Sequence, residues 1–199
     1  MIKNYLQLLR LYALGFLFVV SAPAFSQAIL TKVGSSFPLF NGADLSAWTQ
    51  TGNANWQVVN KEPTVTQGSG MLVSKFSAPD LLLEFDYWVS DDAKATIYFR
   101  CTNPSAINPD TAYEVILVNQ ANGVGAGSIR SLSKAQFNQV ANQWNHIQIS
   151  AIGNKLSVTL NGVVNQVIDA RFSAGPIAVN YQGGVLRLKN FNFTIPGRW

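Results

Sequence analysis

Cysteine and histidine are nearly missing from this sequence. Cys101 is the only cysteine and His146 the only histidine among 199 residues. A single thiol excludes an intramolecular disulfide and a thiolate metal cluster. Cys101 therefore reads as a small buried hydrophobe in a strand, because a catalytic thiol would want a histidine beside it. Nothing in the sequence brings His146 to it. One histidine also argues against zinc hydrolase chemistry, whose sites usually take two or three. No metal-ligand set is expected and no cofactor is identified. Charge is scarce as well: Asp, Glu, Lys and Arg make up 12% of the chain, about half the usual share. The formal net charge is +4. The basic residues stand singly, with no run or stripe to follow a nucleic acid.

Residues Met1–Ser26 have the parts of a secretory signal. Lys3 and Arg10 give a positive start, and Leu11–Val20 (LYALGFLFVV) is apolar. That run of ten residues is too short to cross a bilayer core of about 30 Å. Ala24-Phe25-Ser26 places small residues for a cut before Gln27. No cysteine follows the apolar run to make a lipoprotein site. The expected organisation is a signal peptide over 1–26 and one domain over 27–199, periplasmic or secreted and free of the membrane after cleavage. Without Lys3 and Arg10, twelve basic residues face ten acidic ones, a net charge of +2.

What the chain does contain is strand after strand, rich in aromatics at 12%. Trp56–Val59, Met71–Lys75, Leu81–Val89, Thr96–Cys101 and Tyr113–Val118 are β-rich runs bounded by Gly, Pro, Asn or Asp. Gln143–Ala151, Lys155–Leu160 and Val163–Ile168 read as a meander turning at Gly153-Asn154 and Asn161-Gly162, the latter a favoured type I′ pair. Ile177–Tyr181 and Val185–Thr194 end the series. Only Lys134–Ala141 reads as a helical turn or two. Many short strands at even spacing predict an all-β sandwich or barrel.

Several catalytic signatures fail. Gly123–Ser128 is glycine-rich, but Ser128 stands where a dinucleotide fingerprint needs glycine and no helix follows. Ser131-Leu132-Ser133-Lys134 matches a Ser-x-x-Lys motif by letters alone. Asn192-Phe193-Thr194 fits a glycosylation acceptor, yet lies in an expected strand.

The acidic residues are more informative. Side chains alternate along a strand, so Leu82, Glu84, Asp86 and Trp88 share one face of Leu81–Val89. Leu83, Phe85, Tyr87 and Val89 share the other, apolar face. The same alternation sets Tyr98 and Arg100 against Ile97, Phe99 and Cys101, and Glu114 against Tyr113, Val115 and Leu117. If these strands neighbour one another, Glu84, Asp86, Arg100 and Glu114 form one polar patch. Carboxylates beside an arginine and aromatic rings suit a sugar site: the carboxylates move protons and the arginine holds a carbonyl or oxyanion. An ordinary solvated face with ion pairs would read the same way.

Short motifs then follow in a fixed order: Leu39-Phe40-Asn41-Gly42, Asp44-Leu45-Ser46-Ala47-Trp48, Glu84-Phe85, Ile97-Tyr98-Phe99-Arg100, Tyr113-Glu114-Val115, Gln143-Trp144-Asn145, Leu160-Asn161-Gly162, Gly175-Pro176-Ile177 and Gly183-Gly184. With these the sequence resembles the 3-keto-disaccharide hydrolase domain family over about Phe37–Ile195. The resemblance implies a concanavalin-A-like jelly-roll sandwich of two antiparallel sheets, an exported bacterial protein, and cleavage of glycosides whose sugar is oxidised at C3. It puts Glu84, Arg100 and Glu114 on the family's polar positions. The chain departs from the pattern at Lys94-Ala95-Thr96, where the family often has Asn-Ser-Gly. It departs again at Ile116 (often Gln), Gln182 (often His) and Asp86 (commonly basic).

The resulting expectation is an exported hydrolase or lyase acting on 3-keto-disaccharides or 3-keto-glycosides. Glu84 or Glu114 would be the acid or base and Arg100 the carbonyl clamp, with Asp86, Trp88, Tyr98 and Gln182 binding substrate. Glu84, Asp86, Arg100, Glu114 and Gln182 should converge in one depression on an exposed, concave face. The alternatives are a non-catalytic carbohydrate-binding sandwich stacking sugar on Trp88 and Tyr98, and a structural envelope domain. For the leader, the expected result is an intact mass of periplasmic protein beginning at Gln27. A mass that retains Met1–Ser26 would reject cleavage there.

Overall fold

In the computed structural model, residues 34–136 and 138–197 are described; the expected leader, Met1–Ser26, lies outside the described residues. Every regular element among them is a strand. In chain order these are β1 (Ser35–Pro38), β2 (Trp48–Gly52), β3 (Gln57–Val59), β4 (Glu62–Val65), β5 (Gly70–Ala78), β6 (Leu81–Val89) and β7 (Ala95–Phe99). They continue with β8 (Tyr113–Ile116), β9 (Trp144–Ile152), β10 (Lys155–Leu160), β11 (Val163–Ile168), β12 (Gly175–Tyr181) and β13 (Leu186–Ile195). The strands form two antiparallel sheets. One runs β11-β10-β9-β6-β13-β4-β3, with β1 also on β13, and the other runs β2-β5-β12-β7-β8. This is the expected two-sheet sandwich.

Alternation makes the core. On β6 the residues Leu81, Leu83, Phe85, Tyr87 and Val89 are buried, while those between them are half-buried. Leu83, Phe85, Tyr87, Ile97, Phe99, Val158 and Leu160 all join one buried apolar cluster between the sheets; the β6 members are the apolar face that alternation predicts. Phe85 stacks on Phe191 with ring centroids 4.3 Å apart, and Phe191 meets the edges of Trp48 and Phe40. Each large side chain fully removed from water contributes about 1.5–3 kcal/mol. β13 departs from strict alternation at a one-residue bulge between Lys189 and Asn192. There Asn190, at φ 53°, lets Phe191 turn inward while Asn190 itself faces out.

The recurring motifs turn out to be structural joints. Asn41 Oδ1 accepts from the backbone N–H groups of Ala43 and Asp44, a local turn that leads into Trp48, whose Nε1 donates to Leu39 O at 2.9 Å. Asn145 is buried, donates to Val140 O, and accepts from Asn161 Nδ2 at 2.9 Å. Its partner Asn161 sits in the β10–β11 turn at φ 48°, followed by Gly162 at φ 84°, as a type I′ hairpin requires. Gly175 must be glycine, since a Cβ there would lie 2.2 Å from Cys101 O. Gly184, at φ 76°, would place a Cβ 2.4 Å from Ala93 Cα.

Two expectations fail. Lys134–Ala141 holds no helix among its described residues. Its backbone groups are taken by other partners: Ala135 N–H donates to Ser128 Oγ, Asn119 donates to Asn138 O, and Ala141 bridges Val89. The sequence also misses β1, β2 and β4. β4 contains Pro63, which reads against a strand but is tolerated because β13 pairs only with its neighbours Thr64 and Val65.

Cys101 is buried beside Val73, Tyr98, Ala112 and Ala178, and burial pushes its thiol up to about 12. It is the inert hydrophobe the composition implies, and it lies past the end of β7, in the sheet that does not contain His146. The native protein should therefore leave a thiol reagent such as Ellman's unreacted at pH 8 and consume one equivalent on unfolding. Rapid reaction of the folded protein would contradict this packing.

Candidate functional site

The polar residues expected to converge are divided between the two sheets. Glu84, Asp86 and Trp88 lie on β6 and point outward from the larger sheet. Tyr98 and Glu114 lie on β7 and β8 in the smaller one. Alternation gives each side chain's facing correctly, but the two outward faces are on opposite sides of the sandwich. Convergence of Glu84 and Asp86 with Glu114 is therefore corrected.

On the larger sheet, His146 stands opposite Asp86 in register. Its Nδ1 is 2.8 Å from Asp86 Oδ1 and its Nε2 is 3.4 Å from Glu84 Oε1. Asn190 Nδ2 donates to Asp86 Oδ2. Trp88 pairs across β6–β9 with Trp144, whose ring face is covered by Lys189 Nζ at 3.8 Å. This is a solvated face of polar contacts and hydrogen bonds. Among the described residues, no group of three or more His, Cys, Asp or Glu is arranged to hold a metal ion.

Arg100 is also corrected. It follows β7 at φ 52°, and that left-handed residue breaks the alternation that placed it beside Tyr98. The guanidinium turns inward, with its side chain 2% exposed. Its Nε donates to Pro79 O at 2.7 Å, Nη1 to Phe172 O at 3.3 Å and Nη2 to Asp80 Oδ1 at 3.4 Å. Burial pulls its pKa down against the pull of Asp80. Arg100 ties three connections together and reaches no open surface.

The smaller sheet carries a depression of about 590 Å³. Glu114 and Tyr98 are directly opposed across β7–β8. Both are nearly buried, at 4% and 5% exposure. Asn180 of β12 joins them and donates to Thr96 Oγ1. The Glu114 carboxylate accepts both Nε and Nη2 of Arg130, a two-point ion pair. The hydrogen bond to Glu114, outweighing burial, raises the pKa of Arg130. Burial first, and then the charge and hydrogen bond of Glu114, push the Tyr98 phenol up to about 12. Asp91, Asp92, Lys94 and Gln182 line the rim. Of the residues expected at the site, Glu114, Tyr98 and Gln182 are brought together. Four of the chain's departures from the family pattern, Lys94, Ala95, Thr96 and Gln182, line the same depression.

Arg130 is the residue the sequence reading missed. Gly123–Ser128 reads as a flexible loop, yet the chain that follows it runs beside β8. Val115 bridges Ile129, and Arg130 N–H donates to Glu114 O at 2.8 Å. The available signal was charge: between Glu114 and Lys134, Arg130 is the only charged side chain. A lone cation near a buried carboxylate is its expected partner.

A family profile described as "3-keto-alpha-glucoside-1,2-lyase-like domain" matches residues 36–194. The chain belongs to this family. No curated protein matches the chain. Among solved structures, this 3-keto-glucoside-lyase-like domain is similar to a protein of Parabacteroides distasonis ATCC 8503 provisionally named a glycosyl hydrolase. That match has TM-score 0.67 and 14% identity, covering 81% of this chain and 93% of that one. It is also similar to the carbohydrate-binding module CBM66 of Bacillus subtilis (TM-score 0.60, 17% identity, 75% and 96% covered). A third is the Bacillus licheniformis β-glucanase (TM-score 0.61, 14% identity, 83% and 99% covered). At these identities the likeness establishes the fold, a concanavalin-like sandwich.

For Arg100, truncation should act on stability. Arg100→Ala removes the donor to the buried Phe172 O and the bonds to Pro79 O and Asp80, and should cost about 2–4 kcal/mol in chemical denaturation. A change within 0.5 kcal/mol, on the order of an ordinary surface substitution, would show that the interior does not depend on it.

Proposed function

We propose that this domain cleaves glycosides of 3-keto sugars in the depression over the smaller sheet, with Glu114 as the proton acceptor. One observation carries the reading. A nearly buried carboxylate is fixed between a cation and a tyrosine on the floor of a sugar-sized depression, in a chain of this family.

The chemistry needs those three groups. A ketone at C3 acidifies the C2 proton, so a carboxylate can remove it and leave the electron pair as an enolate. As Glu114 takes the proton its negative charge is lost, while a new one develops on the C3 oxygen. Arg130, already at the carboxylate, is the cation available to the new oxyanion. The enolate expels the C1 substituent, forming a C1=C2 double bond conjugated with the ketone, and the departing oxygen must gain a proton. Tyr98, held protonated through the physiological range, is the donor at hand. Water then adds at C1, so the overall reaction is hydrolysis; stopping before that addition makes it a lyase. The leader sequence supports export as the setting for this chemistry.

A binding module would favour an exposed aromatic platform. Among the described residues Tyr98 is the only aromatic lining the depression, and Trp88 lies on the other sheet, so the pair cannot stack on one sugar. That observation favours the enzyme.

The test is turnover of 3-keto-trehalose or 3-keto-sucrose by the purified protein. Glu114→Gln keeps the shape and loses the titrating group, so the rate should fall about 10²–10⁴-fold with an unchanged circular dichroism spectrum. Glu84→Gln should leave the rate alone. The opposite pattern would move the site to the larger sheet. Sugar binding without turnover in the unaltered protein would establish a binding module instead.

A further inference from the structure

The depression over Glu114 continues past Gln182. A second one, of about 680 Å³, adjoins it, and Asn180 and Gln182 line both. Its floor comes from the other side of β12, where Asn180 pairs with Met71 and Tyr181 with Gly70 on β5. The loop through Pro104 and Ile107 forms its wall.

The two halves differ in chemistry. Asp91, Asp92, Lys94, Glu114 and Arg130 line the first, whereas no described residue lining the second carries a charge or an aromatic ring. Its apolar surface is Met71, Val73, Pro104 and Ile107. Val73 packs in one apolar cluster with Tyr98 and Ala178, and Met71 and Ile107 pack against that cluster. The apolar floor thus runs from beneath Tyr98 into the second half.

We propose that the second half is the leaving-group subsite, and that it takes a neutral aglycone with an apolar face, an alkyl or aryl alcohol, rather than a second sugar. The proposal rests on the reading of the first half as the place of bond cleavage. Asn180 and Gln182, common to both halves, then flank the bond that breaks. An anionic leaving group would lose hydration with no cation to receive it. A second pyranose would find no ring to stack on. An alkyl or aryl group gains by covering Met71, Val73 and Ile107.

The experiment compares methyl and 2-phenylethyl 3-keto-α-glucosides, whose leaving alcohols are similarly basic, alongside 3-keto-trehalose. The phenylethyl compound should show a kcat/KM at least about tenfold above the methyl compound, the range expected for apolar pocket contacts. It should also exceed the disaccharide. Ile107→Asp and Met71→Gln should each bring the phenylethyl-to-methyl ratio of kcat/KM down to about one. Equal rates for the methyl and phenylethyl compounds would overturn the subsite, as would an advantage that survives both substitutions. A preference for the disaccharide would give the subsite to a second sugar. Failure to cleave even the methyl glycoside would instead bring down the catalytic reading, and this proposal with it.

Discussion

Every strand in a sandwich has one face that must be dry and one that must not. That constraint organises the molecule. Leu83, Phe85 and Tyr87 of β6 meet Ile97 and Phe99 of β7 in a single core, so the polar residues between them can only point away. Because the two sheets lie back to back, away means opposite directions for β6 and for β7. Each sheet therefore has its own outward chemistry. On the larger one, His146 lies between two carboxylates in the open. On the smaller one, Glu114 is sunk below the surface with its cation.

The second arrangement is unusual for the energy it must offset. A carboxylate is rarely buried without a partner, and Arg130 arrives from a loop rather than a strand. The loop is held by backbone pairing along β8, so the main chain itself sets Arg130 beside Glu114. Tyr98 completes the group from the next strand. The same ordering explains how a chain with so little charge keeps a reactive cluster: two short strands and one loop supply it.

Much of this was legible in residues. Leu81–Val89, Lys155–Leu160 and Val163–Ile168 occupy the strands their patterns predict, and Asn161-Gly162 makes its turn, because period-two alternation and turn chemistry are local. Glu114 and Tyr98 were found for the same reason, and Gln182 through the family resemblance alone. Which sheet a strand joins is not local, and Glu84 and Asp86 were misplaced with Glu114 on that account. Arg100 was misplaced by a single left-handed residue, a backbone event that alternation does not foresee. Arg130 was hidden because a glycine-rich segment reads as loop whether or not it pairs with a strand. β4 was hidden by Pro63.

The strand order also sets a timetable. β12 lies between β5 and β7, and β13 lies between β6 and β4 and also holds β1. The middle of both sheets is thus supplied by Gly175–Ile195, the last two strands of the domain in chain order. Until they arrive, β5 and β7 have nothing between them, β6 lacks a neighbour, and β1 has no place to dock. Such a chain has contacts that are distant in sequence and must fold late and comparatively slowly. A chain cut before Gly175 would leave two incomplete sheets with exposed edges rather than a smaller version of the same domain.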